Sequence, residues 1–235
     1  MKNLLLQTLV VIVLLFAACK KDKAVETVDI GYNYFPTEVG RYVVYQVDSI
    51  SYDDFFTPVK IDTAHFQLKE VIESVFTDNE GRASERIERY VRYADTLPWS
   101  LRDVWYQTRS TTKAEKVEEN VRFIKLTFPT QNNQKWNGNA LNTIGTYTYE
   151  YKSVDTKKTV NGNVFDSTLT INQIVDSNLI EKKYQVEVYA KNVGMIYKRF
   201  VDVQDKGITI EPGPLSGRID AGTDYTYRII EYGKQ

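Results

Sequence analysis

Three patterns of apolar and polar positions divide the chain. Leu4 to Ala18 is a nearly unbroken apolar run behind Met1-Lys2-Asn3, interrupted by Gln7 and Thr8, and Lys20 to Asp29 is polar without periodicity. From Arg41 onward, apolar and polar residues alternate with a period of two, the mark of strands with one buried face. Arg41–Ile50, rich in Val and Tyr, begins the series. Phe66, Leu68 and Ile72 share one face of a second strand, with Val71 and Val75 opposite, and Lys69, Glu70 and Glu73 mark a wet side. The turn Asp78-Asn79-Glu80-Gly81 leads to Ile87, Val91 and Tyr93, and Trp105-Tyr106 sits in a short strand. Val121 and Phe123 alternate against Ile124, Leu126 and Phe128, and Tyr147, Tyr149 and Tyr151 occupy one face. Asn161-Gly162-Asn163 turns the chain into Thr168–Ile174, since Asn and Gly tolerate positive φ. Tyr184, Val186 and Val188, then Ile196-Tyr197, then Tyr225, Tyr227 and Ile229 complete the set.

One helix is a candidate, over Thr112–Asn120, where Ala114, Glu115, Lys116 and Glu118 are good helix formers. No stretch sustains a 3.6-residue apolar period. The expected fold is therefore all-β or mainly β, with antiparallel sheets in a sandwich or curved sheet and at most one or two short helices. Composition agrees: 17 Tyr and 10 Phe favour strands. Residues 32–235 are expected to form a single domain, large enough to bury about 70% of its unfolded surface. Phe35-Pro36-Thr37 recurs as Phe128-Pro129-Thr130, which raises the alternative of two related halves near 32–130 and 131–235.

The first pattern carries an address. A positive start, a short apolar run and small residues at its end make a secretory signal. A membrane-spanning helix needs about 20 apolar residues, and this run is shorter. Phe16-Ala17-Ala18-Cys19 resembles the lipobox of bacterial lipoprotein signal peptides, with Phe16 standing where that pattern favours Leu. The resemblance implies cleavage between Ala18 and Cys19 and acylation of Cys19 with diacylglycerol and a further chain such as palmitate. Residues 1–18 then form the signal peptide and 19–31 a lipidated flexible tether. Lys20 follows the cysteine, which resembles an outer-membrane sorting signal. The expected location is the cell envelope, lipid-anchored at the outer membrane, with the membrane as a partner through Cys19. Tyr34-Phe35-Pro36, Trp136-Asn137-Gly138-Asn139 and Tyr189–Lys198 loosely resemble lipoproteins of Bacteroidetes-type bacteria, a likeness that implies location and β content but no activity.

Cys19 is the only cysteine, so once acylated it leaves no disulfide, thiolate nucleophile or Cys-ligated metal. His65 is the only histidine, read as a half-buried strand residue. No metal site and no cofactor are expected, and no catalytic set is assigned. The formal net charge of −1, with 30 basic and 31 acidic residues interspersed, argues against nucleic acid. Tyr147, Tyr149, Tyr151 and Trp136 are the candidate ligand-binding residues, because such rings stack on sugars or line apolar grooves. The expected function is non-enzymatic binding of a glycan, an apolar ligand or an envelope protein. A structural or assembly subunit is the alternative, and a carboxylate-based glycoside hydrolase stands behind both.

Overall fold

The computed structural model describes residues 28–205 and 219–235. The signal peptide, Cys19 and most of the tether lie outside the described residues. A 3₁₀ turn at Tyr32–Tyr34 precedes twelve strands: β1 (Arg41–Asp53), β2 (Lys60–Thr77), β3 (Ala83–Arg92), β4 (Ser100–Arg109), β5 (Lys113–Glu118), β6 (Val121–Thr127), β7 (Lys135–Asn137), β8 (Thr148–Val160), β9 (Asn163–Ser177), β10 (Glu181–Ala190), β11 (Gly194–Gln204) and β12 (Ala221–Lys234). All lie in one antiparallel sheet, in the order β6-β5-β4-β3-β2-β1-β12-β11-β10-β9-β8-β7. The fold is all-β, a single curved sheet. Residues up to Thr127 supply one half of it and residues from Lys135 the other, joined through β1 and β12.

Turn chemistry matches the sequence. Asn161 and Gly162 take φ of 49° and 81° between β8 and β9, and Gly81 at 75° closes the turn from Asp78. The expected helix over Thr112–Asn120 is instead strand β5 and a tight turn at Glu119-Asn120, both with positive φ. Helix propensity differs by only a few tenths of a kcal/mol per residue. Against it stand two ladders, to β4 and to β6, and ion pairs from Glu115 and Lys116 to residues far away in sequence.

Register shifts bend the sheet, at Val44/Tyr45 in the β1–β12 ladder, at Ile72/Ser74 in β2–β3 and at three places in β8–β9. Each such bulge adds twist and curvature. The two edge strands consequently meet and are stitched together. Ile124 donates its N–H to the Gly138 carbonyl at 2.8 Å, and the Trp136 indole donates to the Ile124 carbonyl at 2.9 Å. The Tyr151 hydroxyl donates to the Thr127 carbonyl at 2.9 Å and accepts from the Thr127 N–H at 3.0 Å. The sheet is thus nearly closed into a barrel.

One end of the barrel is filled by the segment ahead of β1. Arg109 donates to the carbonyls of Tyr32 and Phe35, Gln107 to Pro36, and the Asn192 N–H to Asn33. Tyr34 and Phe35 are buried there with Leu126, Phe128, Tyr151, Leu169 and Ile171. Two aromatic side chains burying 150–250 Å² each contribute several kcal/mol at ~25 cal/mol per Å². The plug begins before Tyr32: Ile30 accepts from the Thr130 N–H, and Asp29 pairs with Lys191 at 2.8 Å. A second cluster, including Tyr45, Val47, Leu68, Val188, Ile196 and Ile229, holds the wall built around β1, β12 and β11.

Candidate functional site

An eight-stranded barrel is just filled by its own side chains, whereas more strands enclose more space. Here that space is divided by a layer of charge. Period two places Glu70 on the same face as Phe66, Leu68 and Ile72, so it points inward, not into water as its charge suggested. Glu70 is 6% exposed; Arg89 donates to it at 3.1 Å and Lys116 at 2.8 Å. Arg89 also grips Asp103 with two contacts of 2.9 Å. On the other side of the lumen, Lys125 holds Glu187 at 2.8 Å and Glu118 at 3.0 Å, and the Tyr189 hydroxyl donates to Glu187 at 2.7 Å. Lys198 reaches the same two carboxylates at 3.5 and 3.6 Å. The acids Glu70, Asp103, Glu118 and Glu187 thus match the bases Arg89, Lys116, Lys125 and Lys198 one for one.

Burial alone would raise the Glu70 carboxyl, but Lys116 and Arg89 hold it below its ordinary value. Burial likewise opposes ionisation of Glu187 and Glu118, and Lys125 and Lys198 overcome it in both. Burial works against the ammonium groups too, yet Glu118 and Glu187 keep Lys125 raised, and Glu118 leads in raising Lys198. The three buried glutamates and the two lysines are thus all biased toward their charged forms. Such a layer costs desolvation that its pairing roughly offsets, so its worth lies in fixed geometry.

Beyond this layer, away from the plug, lies a cavity of about 400 Å³. Its position follows from register: Ser49, Phe200 and Tyr225 line it, near the end where β1 leads to β2 and β11 ends. All strands except β7 contribute lining residues. Aromatic side chains form much of the wall, with the charged Arg102 and Glu119 beside them. Phe200 and Tyr225 stack at 4.7 Å with an interplanar angle of 4°, Tyr227 packs 5.4 Å from Tyr225, and Phe66 and Phe123 complete the ring. Trp105 covers the Arg89 guanidinium, whose centre lies 3.3 Å from its ring centroid. Gln173 and Gln185 stand on neighbouring strands at one side. On the plug side of the charged layer only about 70 Å³ is open, and Glu118 and Lys125 border both spaces.

Of the sequence candidates, Tyr149 lines the cavity; it is 3% exposed, and burial pushes its hydroxyl up to about 12. Tyr151 and Trp136 are committed to the seam, and Tyr147 packs against the seam cluster. Gly138 has a reason beyond turn-making: a Cβ there would meet the Tyr149 ring at 2.3 Å. His65 is exposed on β2 and pairs with Asp48 at 2.7 Å, so it is not the half-buried residue its strand position suggested. Among the described residues, no group of three or more His, Cys, Asp or Glu side chains is placed to hold a metal ion. The charged layer was missed from sequence. Its signal was present: a charge at an inward-facing position on three separate strands, Glu70 beside Leu68 on β2, Lys125 beside Phe123 on β6, Lys198 beside Ile196 on β11.

No protein-family model matches the chain, and no curated protein matches it. Among solved structures, the chain is similar to a Bacteroides fragilis protein described as exported and as having a YmcC-like fold. The identity is 10%, the TM-score 0.43, and the match covers 85% of this chain and 98% of that one.

Proposed function

We propose that this chain is a non-enzymatic ligand-binding barrel of the cell envelope, anchored to the outer membrane through acylated Cys19. One observation carries the binding role: the 400 Å³ lumen cavity, ringed by aromatic side chains above a fixed layer of charge. That volume and lining suit a small molecule. The first described residues lie at the plugged end, so a lipid on Cys19 would leave the cavity on the side of the barrel away from the anchor. What supports a binding role over hydrolysis is the state of the acids. Glu118 and Glu187 share the ammonium groups of Lys125 and Lys198, which favour their ionised forms, whereas a glycosidase needs one carboxyl with a raised pKa to protonate the leaving group.

The test is native mass spectrometry of protein extracted from its own membranes, beside a Ser49→Trp variant whose larger side chain fills the cavity. A retained small molecule in the wild type that is lost in the variant is the expected result. No retained molecule, together with no response of the intrinsic tryptophan fluorescence to added C12 amphiphiles, would remove the binding reading.

A second role, docking an envelope protein, is favoured by exposed apolar residues on loops at the cavity end: Phe55, Phe56, Leu97 and Ile144. Recovery of the same partner by wild type but not by a Phe55→Ser/Phe56→Ser variant would support it.

A further inference from the structure

The lumen holds a hydrogen-bond donor without an acceptor. Gln173 is 4% exposed, yet its amide nitrogen has no partner. It lies on β9 where it lines the cavity, next to β10, which pairs in turn with β11 and Lys198. A buried donor left unpaired is costly, so a fold that keeps one has a use for it or is weakened by it. Lys198 points the same way. Charge-assisted N–H···O bonds run about 2.7–2.9 Å. Lys125 makes such bonds to the acids of the layer, whereas Lys198 approaches them only at 3.5 and 3.6 Å. Its side chain is 12% exposed, on the cavity side of the layer.

We infer that the cavity takes an amphiphile: an apolar body lying along the Phe200–Tyr225 wall and an oxygen-acceptor head, a carboxylate, received by Gln173 and Lys198. The inference rests on the lumen being a ligand site and names what enters it. Four cations line the cavity, Arg89, Arg102, Lys125 and Lys198, against two carboxylates, Glu118 and Glu119, so an added anion meets an excess of positive charge and an added cation does not. A sugar fits less well. It carries donors as well as acceptors, and its hydroxyl donors would lie against Phe66, Phe123 and Phe200.

The experiment compares two C12 probes that differ only in their heads, dodecanoate and dodecylammonium, below their micelle concentrations. Binding to the full chain held in a nonionic detergent carrier is measured by calorimetry and intrinsic tryptophan fluorescence, for wild type and Gln173→Leu. The substitution removes an unpaired donor and keeps the side chain's bulk, so its unfolding midpoint should equal or exceed that of wild type. Uptake by the carrier differs between the two probes, so each is titrated into the carrier alone as well and that background is subtracted before the heads are compared. Wild type should bind dodecanoate about tenfold tighter than dodecylammonium, and Gln173→Leu should lose about tenfold for dodecanoate while changing less than about twofold for dodecylammonium. Equal affinity for the two heads, preference for dodecylammonium, or dodecanoate binding unchanged in Gln173→Leu overturns the assignment of the head while leaving the cavity a ligand site. Absence of any binding by either probe sinks both.

Discussion

Among the described residues, Glu85 is a buried carboxyl whose surroundings favour its neutral form. It is 6% exposed on β3, one of its oxygens has no partner, and burial raises it to about 7 against the help of Gln107 and Arg109. The consequence for stability has a definite sign. Below the ordinary value of 4.5 both folded and unfolded chains carry the proton. Between 4.5 and about 7 the folded chain keeps a proton that the unfolded chain has lost, so stability falls as pH rises through that window and levels above it. The loss is on the order of 3 kcal/mol. Urea unfolding at pH 5 and pH 8 should show this difference in wild type and a much smaller one in Glu85→Gln. An unchanged difference in the variant would place the titration elsewhere. Glu70, Glu118 and Glu187 behave oppositely at this scale, because the bases beside them hold each carboxyl below its ordinary value. The members of the charged layer were legible singly, since period two puts Glu70 and Lys125 inward. Their pairing was not, because Lys125 and Glu187 are 62 residues apart.

At the scale of elements, closure of the sheet is decided by a few side chains. Tyr151 supplies both an acceptor and a donor to the Thr127 backbone, and Trp136 caps the Ile124 carbonyl. Tyr151→Phe keeps the ring and deletes both bonds, leaving a buried N–H without a partner. It should lower stability by about 1–3 kcal/mol, read as a lower urea midpoint. A midpoint equal to wild type would mean that the seam holds without it. The strands themselves were legible in the sequence, since alternation needs only the residues that show it. Strand β5 was not. Ala114, Glu115 and Lys116 favour a helix locally, and they become a strand only because β4 and β6 flank them and distant charges meet them.

At the scale of the molecule, the plug and the cavity occupy opposite ends, which gives the barrel a direction. With Cys19 acylated, the segment reaching the plug would lie toward the membrane and the cavity away from it. Cys19→Ala should abolish incorporation of labelled lipid and either release the protein from the membrane fraction or leave its precursor uncut. Unchanged labelling and retention in that variant would remove the anchor from this account.

The chain by itself determines where strands and turns fall, which side chains share a face and what chemistry its single cysteine and single histidine leave open. Those properties depend on neighbours in sequence, through backbone geometry and residue type. Tertiary structure alone decided that twelve strands curl until their edges meet, that Trp136 and Tyr151 serve the seam while Tyr149 serves the lumen, and that eight charged side chains pair across it. Each depends on contacts between residues scores of positions apart, which alternation along one strand does not encode.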